Sequence, residues 1–255
     1  MPWDIDLTWS DNMYGDGEEP FKRVVLSKPA FRLAYQNRLR EIRDLLFNAD
    51  QTGALIDEMA AVISNPGGAP AIVDADRAKW DYHPAMASGV SMRGKADQGL
   101  FYQASPTGNF AGMVQLMKLY VRRRSAFIDS MFLRDSAIPA TPKISSLSPA
   151  SFPVNQLKFG CSDFEGKSAF AGMEWRAGVV NRFVHTATEQ RPGRYEMTPA
   201  WVSGELPSFQ KEISLPANAL HVGETCRVRV RMKDAAGNWS HWSEPIQFVV
   251  DKTAP

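Results

Sequence analysis

The chain has 255 residues, enough for one large domain or two ordinary ones, and its 44% hydrophobic content supports a buried core. Its 29 basic and 28 acidic residues balance, so it lacks the basic excess of a general nucleic-acid binder. No apolar run approaches the length of a membrane span, and the first residues do not show the basic and apolar regions of a secretory signal.

The opening run, MPWDIDLTW, predicts a strand with one apolar and one acidic face. Side chains alternate along a strand, so Asp4 and Asp6 lie on the side opposite the two tryptophans. Two carboxylates so close repel each other unless a cation or good hydrogen-bond donors lie between them. Magnesium is usually held by one or two carboxylates plus substrate phosphates. Asp4 and Asp6 are therefore a candidate metal site, with turn capping or a solvated surface as the alternative.

Residues 1–135 show helical periodicity, which predicts helices within 27–48, 54–63 and 109–132. In the first helix the arginines and Asp44 lie mostly off the apolar face. The residues predicted to face inward are Phe31, Tyr35, Leu39, Ile42 and Leu46 in the first helix, Leu55, Met59 and Val62 in the second, and Phe110, Met113, Met117, Tyr120, Phe127 and Met131 in the third.

Polar residues in this half offer weaker candidates for a site. Asn109 is predicted to cap the third helix. The run Arg122–Arg124 predicts a solvated face rather than a phosphate grip, because consecutive residues fan round a helix. The stretch DADRAKWDYHPAM, from residue 74 to residue 86, could form a second acid cluster or metal site. Capping of a short helix by Asp74 or Asp76, and a turn at His83, is the favoured interpretation.

The second half predicts short strands after a linker at residues 136–142, where Pro139 and Pro142 stop the helix. Short runs bounded by glycine, proline, asparagine and aspartate favour an antiparallel sandwich. These runs are KISSLSP, NQLKFGC, GMEWRAG, SFQKEISL, CRVRVRMK and PIQFVV.

The run CRVRVRMK alternates fully, with Cys226 and the aliphatic residues on one side and three arginines on the other. It is followed by W-S-H-W-S at residues 239–243. The combination resembles a fibronectin type III domain of the kind that carries a W-S-x-W-S stretch. The resemblance implies that Trp239 and Trp242 stack between the arginines. Arg229, in the middle of the triplet, is expected to lie between the two rings.

The two cysteines leave two interpretations open. Cys161 and Cys226 flank Trp175 in the order Cys–Trp–Cys, which is the immunoglobulin-type pattern of a disulfide between sheets. Two buried free thiols that pack as small hydrophobic groups are the alternative.

The segment PWDIDLTW, followed by NMYG and then by SKPAFRLAYQNRLREIRDLLF, resembles the C-terminal portion of the CotH-like kinases. These are atypical secreted or spore-coat protein kinases, and in bacteria they occur joined to fibronectin-type modules in large exported proteins. The resemblance implies that Asp4 is a magnesium ligand and Asp6 a nearby second acid. It covers about residues 1–135.

In the resembling family the nucleotide-binding lobe and a second essential acid precede P-W-D-x-D. The chain is therefore expected to be a C-terminal fragment, with ATP used only by an intact parent protein and a signal lying upstream. Within the 255 residues, NPGGAP lacks the basic residue of a phosphate loop. The chain is accordingly predicted to be an inactive remnant of an ATP-dependent kinase when it is on its own.

The expected fold is α+β and multidomain: a mainly helical partial kinase C-lobe at 1–135, then an all-β fibronectin III or Ig-like sandwich at 143–251. The alternative function is a non-catalytic structural or adhesive extracellular protein. In either case the expected partner is a protein substrate or a surface partner of the sandwich, with no nucleic acid. The parent protein is expected to be secreted or on the cell surface.

Overall fold

The structure is a computed structural model that describes residues 27–64, 71–80, 107, 109–186 and 188–254. All three predicted helices are present among them, together with a short helix that contains Asp74 and Asp76. The described helices are α1 (Pro29–Leu45), α2 (Gln51–Ser64), α3 (Ile72–Trp80) and α4 (Phe110–Met131).

The helices begin at residues whose chemistry suits a helix start. Helix α1 has Pro29 at its first position, where the missing N–H costs nothing. The predicted cap of α4 is confirmed, since the Gly112 N–H donates to Asn109 Oδ1 at 2.9 Å. Helix α2 has an equivalent cap that the sequence reasoning missed, in which the Gln51 N–H donates to Asn48 Oδ1 at 2.8 Å.

The predicted inward faces are wrong in part. In α2, Met59 and Val62 are exposed and Ile56 and Ala61 are buried instead. Helix α2 carries apolar residues on more than one side, so periodicity alone does not fix which side is buried. The other residues that were predicted inward but are exposed are Phe31 in α1 and Phe127 and Met131 in α4.

Every one of the six predicted strand segments contains a strand. Three further short strands, β4 to β6, were not predicted. The strands are β1 (Ile144–Ser146), β2 (Lys158–Cys161), β3 (Phe170–Val179), β4 (Val184–His185), β5 (Gln190–Arg191), β6 (Pro199–Val202), β7 (Glu212–Ser214), β8 (Thr225–Asp234) and β9 (Ile246–Val249).

The strands form antiparallel sheets, as predicted. One sheet has the order β1-β2-β7, a second has the order β6-β3-β8-β9, and β4 pairs with β5. The longest pairing joins β3 to β8, from Phe170 opposite Asp234 to Val179 opposite Cys226. The helical part followed by sheets makes the chain an α+β protein.

The chain divides into two compact units. The described residues of 48–127 and 183–193 form the first, which contains α2, α3 and the β4–β5 pair. The described residues of 20–47, 128–182 and 194–255 form the second. Helix α1 therefore belongs to the same compact unit as the two larger sheets.

Both larger sheets of the second unit contribute to one buried cluster. Phe159 of β2, Trp175 of β3 and Val228 of β8 are each fully inaccessible to solvent. A fully buried side chain of this kind contributes about 1.5–3 kcal/mol relative to an exposed one. The predicted alternation of β8 is confirmed, because Cys226, Val228, Val230 and Met232 all lie in this cluster.

The two cysteines are free thiols in this core, which decides between the two interpretations left open by the sequence. Cys161 Sγ lies 3.8 Å from the Gln210 carbonyl oxygen, and Cys226 Sγ lies 3.9 Å from that of Glu224. Burial raises the pKa of the Cys161 thiol to about 11 and that of the Cys226 thiol to about 12. Both thiols are therefore held in the neutral form.

The raised thiol pKa values predict a loss of stability at alkaline pH. In the unfolded chain a thiol ionises near pH 8.5, whereas the folded protein keeps its proton until higher pH. The stabilisation is thus complete below about pH 8.5 and is lost as the pH rises towards about 11 for Cys161 and about 12 for Cys226. Urea unfolding midpoints between pH 7.5 and pH 11 should fall more steeply for the wild type than for Cys226→Ala. Parallel curves for the two proteins would contradict this assignment.

Candidate functional site

The predicted metal residues Asp4 and Asp6 lie outside the described residues, as do Asp81 and His83. Asp74 and Asp76 are exposed on α3, and Asp74 lies in its first turn, where an acidic side chain favours the helix dipole. Within the part of the chain that the structure describes, no group of three or more metal-ligating side chains is placed to hold a metal.

The arginine run on α4 is a solvated face, as predicted. Arg122, Arg123 and Arg124 are all exposed. The guanidinium carbon of Arg124 lies 4.8 Å from the ring centroid of Phe127 on the same helix. Consecutive positions on a helix point in different directions, so these exposed arginines do not converge on one ligand.

Polar and charged side chains surround residues 239–243, here called the tryptophan segment. The guanidinium carbon of Arg231 lies 4.3 Å from the Trp239 ring centroid and 4.5 Å from that of Trp242. Lys233 adds a cation 5.4 Å from the Trp239 ring, and Arg176 of β3 lies 5.4 Å from the Trp242 ring. Cations and rings thus alternate in the order Lys233, Trp239, Arg231, Trp242, Arg176.

The expected position of Arg229 between the rings is wrong, because Arg231 occupies it. Arg229 is buried and pairs with Glu196, which is itself 1% exposed. The Nη1 group of Arg229 donates to the Ser243 carbonyl oxygen at 2.7 Å. An isolated buried carboxylate is costly, so Glu196 requires a partner, and Arg229 supplies it.

Arg176 and Arg227 also contact Glu196. Arg227 lies 3.2 Å from the Glu196 carboxylate, and Arg176 donates to the Glu196 backbone carbonyl at 2.6 Å. Burial lowers the pKa of Arg176, while the Glu196 carboxylate opposes that shift. Sequence reasoning missed Glu196, because a single glutamate in a loop carries no periodic signal.

The serines of the tryptophan segment bind it to β8. The Ser240 and Ser243 N–H groups donate to the Met232 and Val230 carbonyls, each at 2.8 Å. Their hydroxyls accept from the Met232 and Val230 N–H groups at 3.0 and 3.1 Å. One backbone edge of the segment is therefore satisfied by β8.

The opposite edge of the segment is covered by polar side chains of α1. The Trp239 N–H donates to Asn37 Oδ1 at 3.0 Å, and Arg40 donates to the Trp239 carbonyl at 2.8 Å. The Trp242 N–H donates to Asp44 Oδ2 at 2.8 Å. Arg40 is buried, and this burial lowers its pKa. The side of α1 that was expected to face solvent is thus a contact face.

The turn before the tryptophan segment fits closely against α1. Gly237 has a φ of +88°, and a Cβ added there would lie 3.0 Å from Leu33 of α1. Its carbonyl accepts from Asn37 Nδ2 at 2.9 Å. Glycine is therefore favoured by the backbone conformation, and a larger residue would also press on the end of the Leu33 side chain.

The N-terminal half of the chain identifies its class. The sequence model of the family described as "CotH kinase protein" matches residues 1–128, half of the chain. The chain therefore belongs to the CotH kinase protein family. That membership implies a kinase-like dependence on ATP and a metal. None of the helices in the described ranges is long and apolar enough to cross a membrane.

The other comparisons add little. No curated protein matches the chain. Among solved structures, one match is described as "Myokine structure" and is 16% identical, with a TM-score of 0.29. It covers 45% of this chain and 99% of that one, and at this level of similarity it supports no inference.

The geometry predicts that Arg231, rather than Arg229, is energetically coupled to the tryptophans. A double-mutant cycle between Arg231→Ala and Trp239→Ala should give a coupling of about 0.5–1 kcal/mol, as expected for a cation–π pair. The cycle between Arg229→Ala and Trp239→Ala should give a coupling below about 0.5 kcal/mol, as for residues without a shared contact. Urea unfolding of the full chain, followed by tryptophan fluorescence, measures both.

Lysine at position 231 serves as the matched control. It keeps the charge but not the planar group, so Arg231→Lys should recover only part of the stability lost in Arg231→Ala. A larger coupling of Trp239 to Arg229 than to Arg231 would contradict the arrangement.

Proposed function

We propose that the chain is the metal-binding C-terminal part of a CotH-like atypical protein kinase, joined to a fibronectin type III-like module. The single observation that carries the proposal is the family match over residues 1–128, within which PWDIDLTW lies. A secreted or cell-surface parent protein is part of the proposal and rests on the resemblance alone.

Asp4 and Asp6 are the proposed metal-binding residues. Two carboxylates supply the oxygen donors that magnesium prefers, so the donor set fits the metal that the family implies. In phosphoryl transfer such a metal neutralises charge on the phosphates. Asp4 would ligate it directly, and Asp6 would add a second negative charge beside it.

The proposed sandwich comprises residues 143–251, after a linker at 136–142. It is supported by the three-stranded and four-stranded antiparallel sheets, by their common core and by the alternating cations and rings around the tryptophan segment. In this proposal the module binds a protein substrate or a surface partner. The stacked tryptophans stabilise the module and do not define the partner.

Residues 1–255 alone are predicted not to transfer phosphate from ATP. Phosphoryl transfer depends on positioning and charge neutralisation, and the sequence contains no glycine-rich phosphate loop with its basic residue. Radiolabelled ATP with magnesium and casein should give no incorporation above a heat-inactivated control. Incorporation that disappears in Asp4→Ala would reject the inactive-fragment part of the proposal and leave the kinase assignment standing.

Asp4 and Asp6 are predicted to bind divalent ions weakly, with little preference between magnesium and manganese. Two carboxylates without phosphates leave most of an octahedral shell to water. Water-proton relaxation with manganese should therefore show binding that is lost in Asp4→Asn/Asp6→Asn.

The matched control for this measurement is Asp74→Asn/Asp76→Asn, an exposed pair with the same spacing on α3. Residues two apart on a helix point in different directions, so this change should leave manganese binding unaltered. If both double variants bind manganese as the wild type does, Asp4 and Asp6 are ordinary surface residues. The structural or adhesive function then becomes the better hypothesis.

A further inference from the structure

The tryptophan segment has two backbone edges, and they have different partners. The N–H groups of Ser240 and Ser243 point to β8, whereas those of Trp239 and Trp242 point to Asn37 and Asp44 of α1. The two serines are three residues apart, and so are the two tryptophans, so N–H groups that face the same side recur at every third residue. This is the repeat of an extended chain of the polyproline II type, and the groups on its outer edge still require partners. Here a helix covers that edge with side chains.

The contacts from α1 match the edge in chemistry. Asn37 donates to the Gly237 carbonyl and accepts from the Trp239 N–H, so one side-chain amide satisfies one backbone acceptor and one backbone donor. Arg40 donates to the Trp239 carbonyl, which Asn37 does not reach. Asp44 accepts from the Trp242 N–H and lies 2.9 Å from the His241 ring nitrogen Nδ1.

The contacts also match in length. Asn37 and Asp44 are seven residues apart, or about 10.5 Å along a helix that rises about 1.5 Å per residue. Trp239 and Trp242 are three residues apart, or about 9 Å in an extended chain of three residues per turn that rises about 3.1 Å per residue. The first and last contacts of the helix can therefore meet the first and last N–H groups of the edge without bending either element.

We propose that the outer edge of residues 237–242 is a docking surface for a helix with the pattern Asn-x-x-Arg-x-x-x-Asp, and that α1 is its occupant in this chain. Because α1 lies within the family-matched residues 1–128, the docking ties the kinase-family segment to the sheets. The proposal goes beyond the proposed function and holds for either function considered above.

Hydrogen exchange at single amides of the full chain, measured by NMR, tests the docking. Asn37→Ala removes the acceptor of the Trp239 N–H, and Asp44→Ala removes that of the Trp242 N–H. If α1 docks as a unit, each change should accelerate exchange at both tryptophan amides, by about tenfold or more for the amide whose own acceptor is removed. The Ser240 and Ser243 amides, which bond to β8, should keep their wild-type rates.

Two variants serve as controls. Arg38→Ala removes an exposed ion pair with Glu41 on the same helix, so it should leave both tryptophan amides unchanged. Asp44→Asn keeps a carbonyl acceptor for the Trp242 N–H and should fall between wild type and Asp44→Ala. If Asp44→Ala does not fold, Asp44→Asn takes its place in the comparison.

Two results would overturn the proposal. If each substitution accelerates only the amide that it contacts, α1 makes independent contacts and does not dock as a unit. If the serine and tryptophan amides accelerate together by the same factor, the segment unfolds as a whole and has no separate outer edge.

Discussion

The second compact unit depends on how its buried cations are satisfied. Strand β8 alternates, so the residues that put Val228 and Val230 into the core put Arg227, Arg229 and Arg231 on the other face. That face is covered, and a covered guanidinium requires an anion, a carbonyl or a ring to offset its lost hydration. The elements around β8 supply these groups in three different ways.

The three arginines accordingly have three surroundings. Arg229 pairs with buried Glu196, whereas Arg227 reaches the same carboxylate from a more exposed position. Arg231 lies between two rings and forms an ion pair with Glu174 at 2.6 Å. Arg231 also approaches Glu41 of α1 at 3.9 Å, so the helix contributes to the same charge balance.

The sequence predicted the surroundings of β8 correctly where polar and apolar residues alternate regularly. The alternation of CRVRVRMK placed the core face of β8 correctly, and the resemblance carried by W-S-H-W-S implied that rings and arginines stack. It could not indicate which arginine lies between the rings, because that depends on where the tryptophan segment pairs along β8. The pairing of Ser240 with Met232 and of Ser243 with Val230 places the rings beside Arg231.

The contact faces of the helices were predicted less well where the buried side chains are polar. Helix α1 was located correctly, yet its contact with the tryptophan segment uses Asn37, Arg40 and Asp44, which hydrophobic periodicity assigns to solvent. A polar stripe with steps of three and four residues is the signal that could have identified this face. The candidate metal residues Asp4 and Asp6 stay a prediction from sequence, since they lie outside the described residues.

The contact of α1 with the tryptophan segment also bears on where one part of the chain ends and the next begins. Sequence texture divides the chain at residues 136–142, a division that stays a prediction. The division into compact units depends on contacts instead of sequence pattern. Helix α1 shows the periodicity of the helical half, yet its polar face forms hydrogen bonds to backbone groups in the sheet unit. Backbone groups in an extended segment must be paired whatever element supplies the partner. A helix from the kinase-family segment can therefore complete the sheet unit through a face that carries no apolar signal.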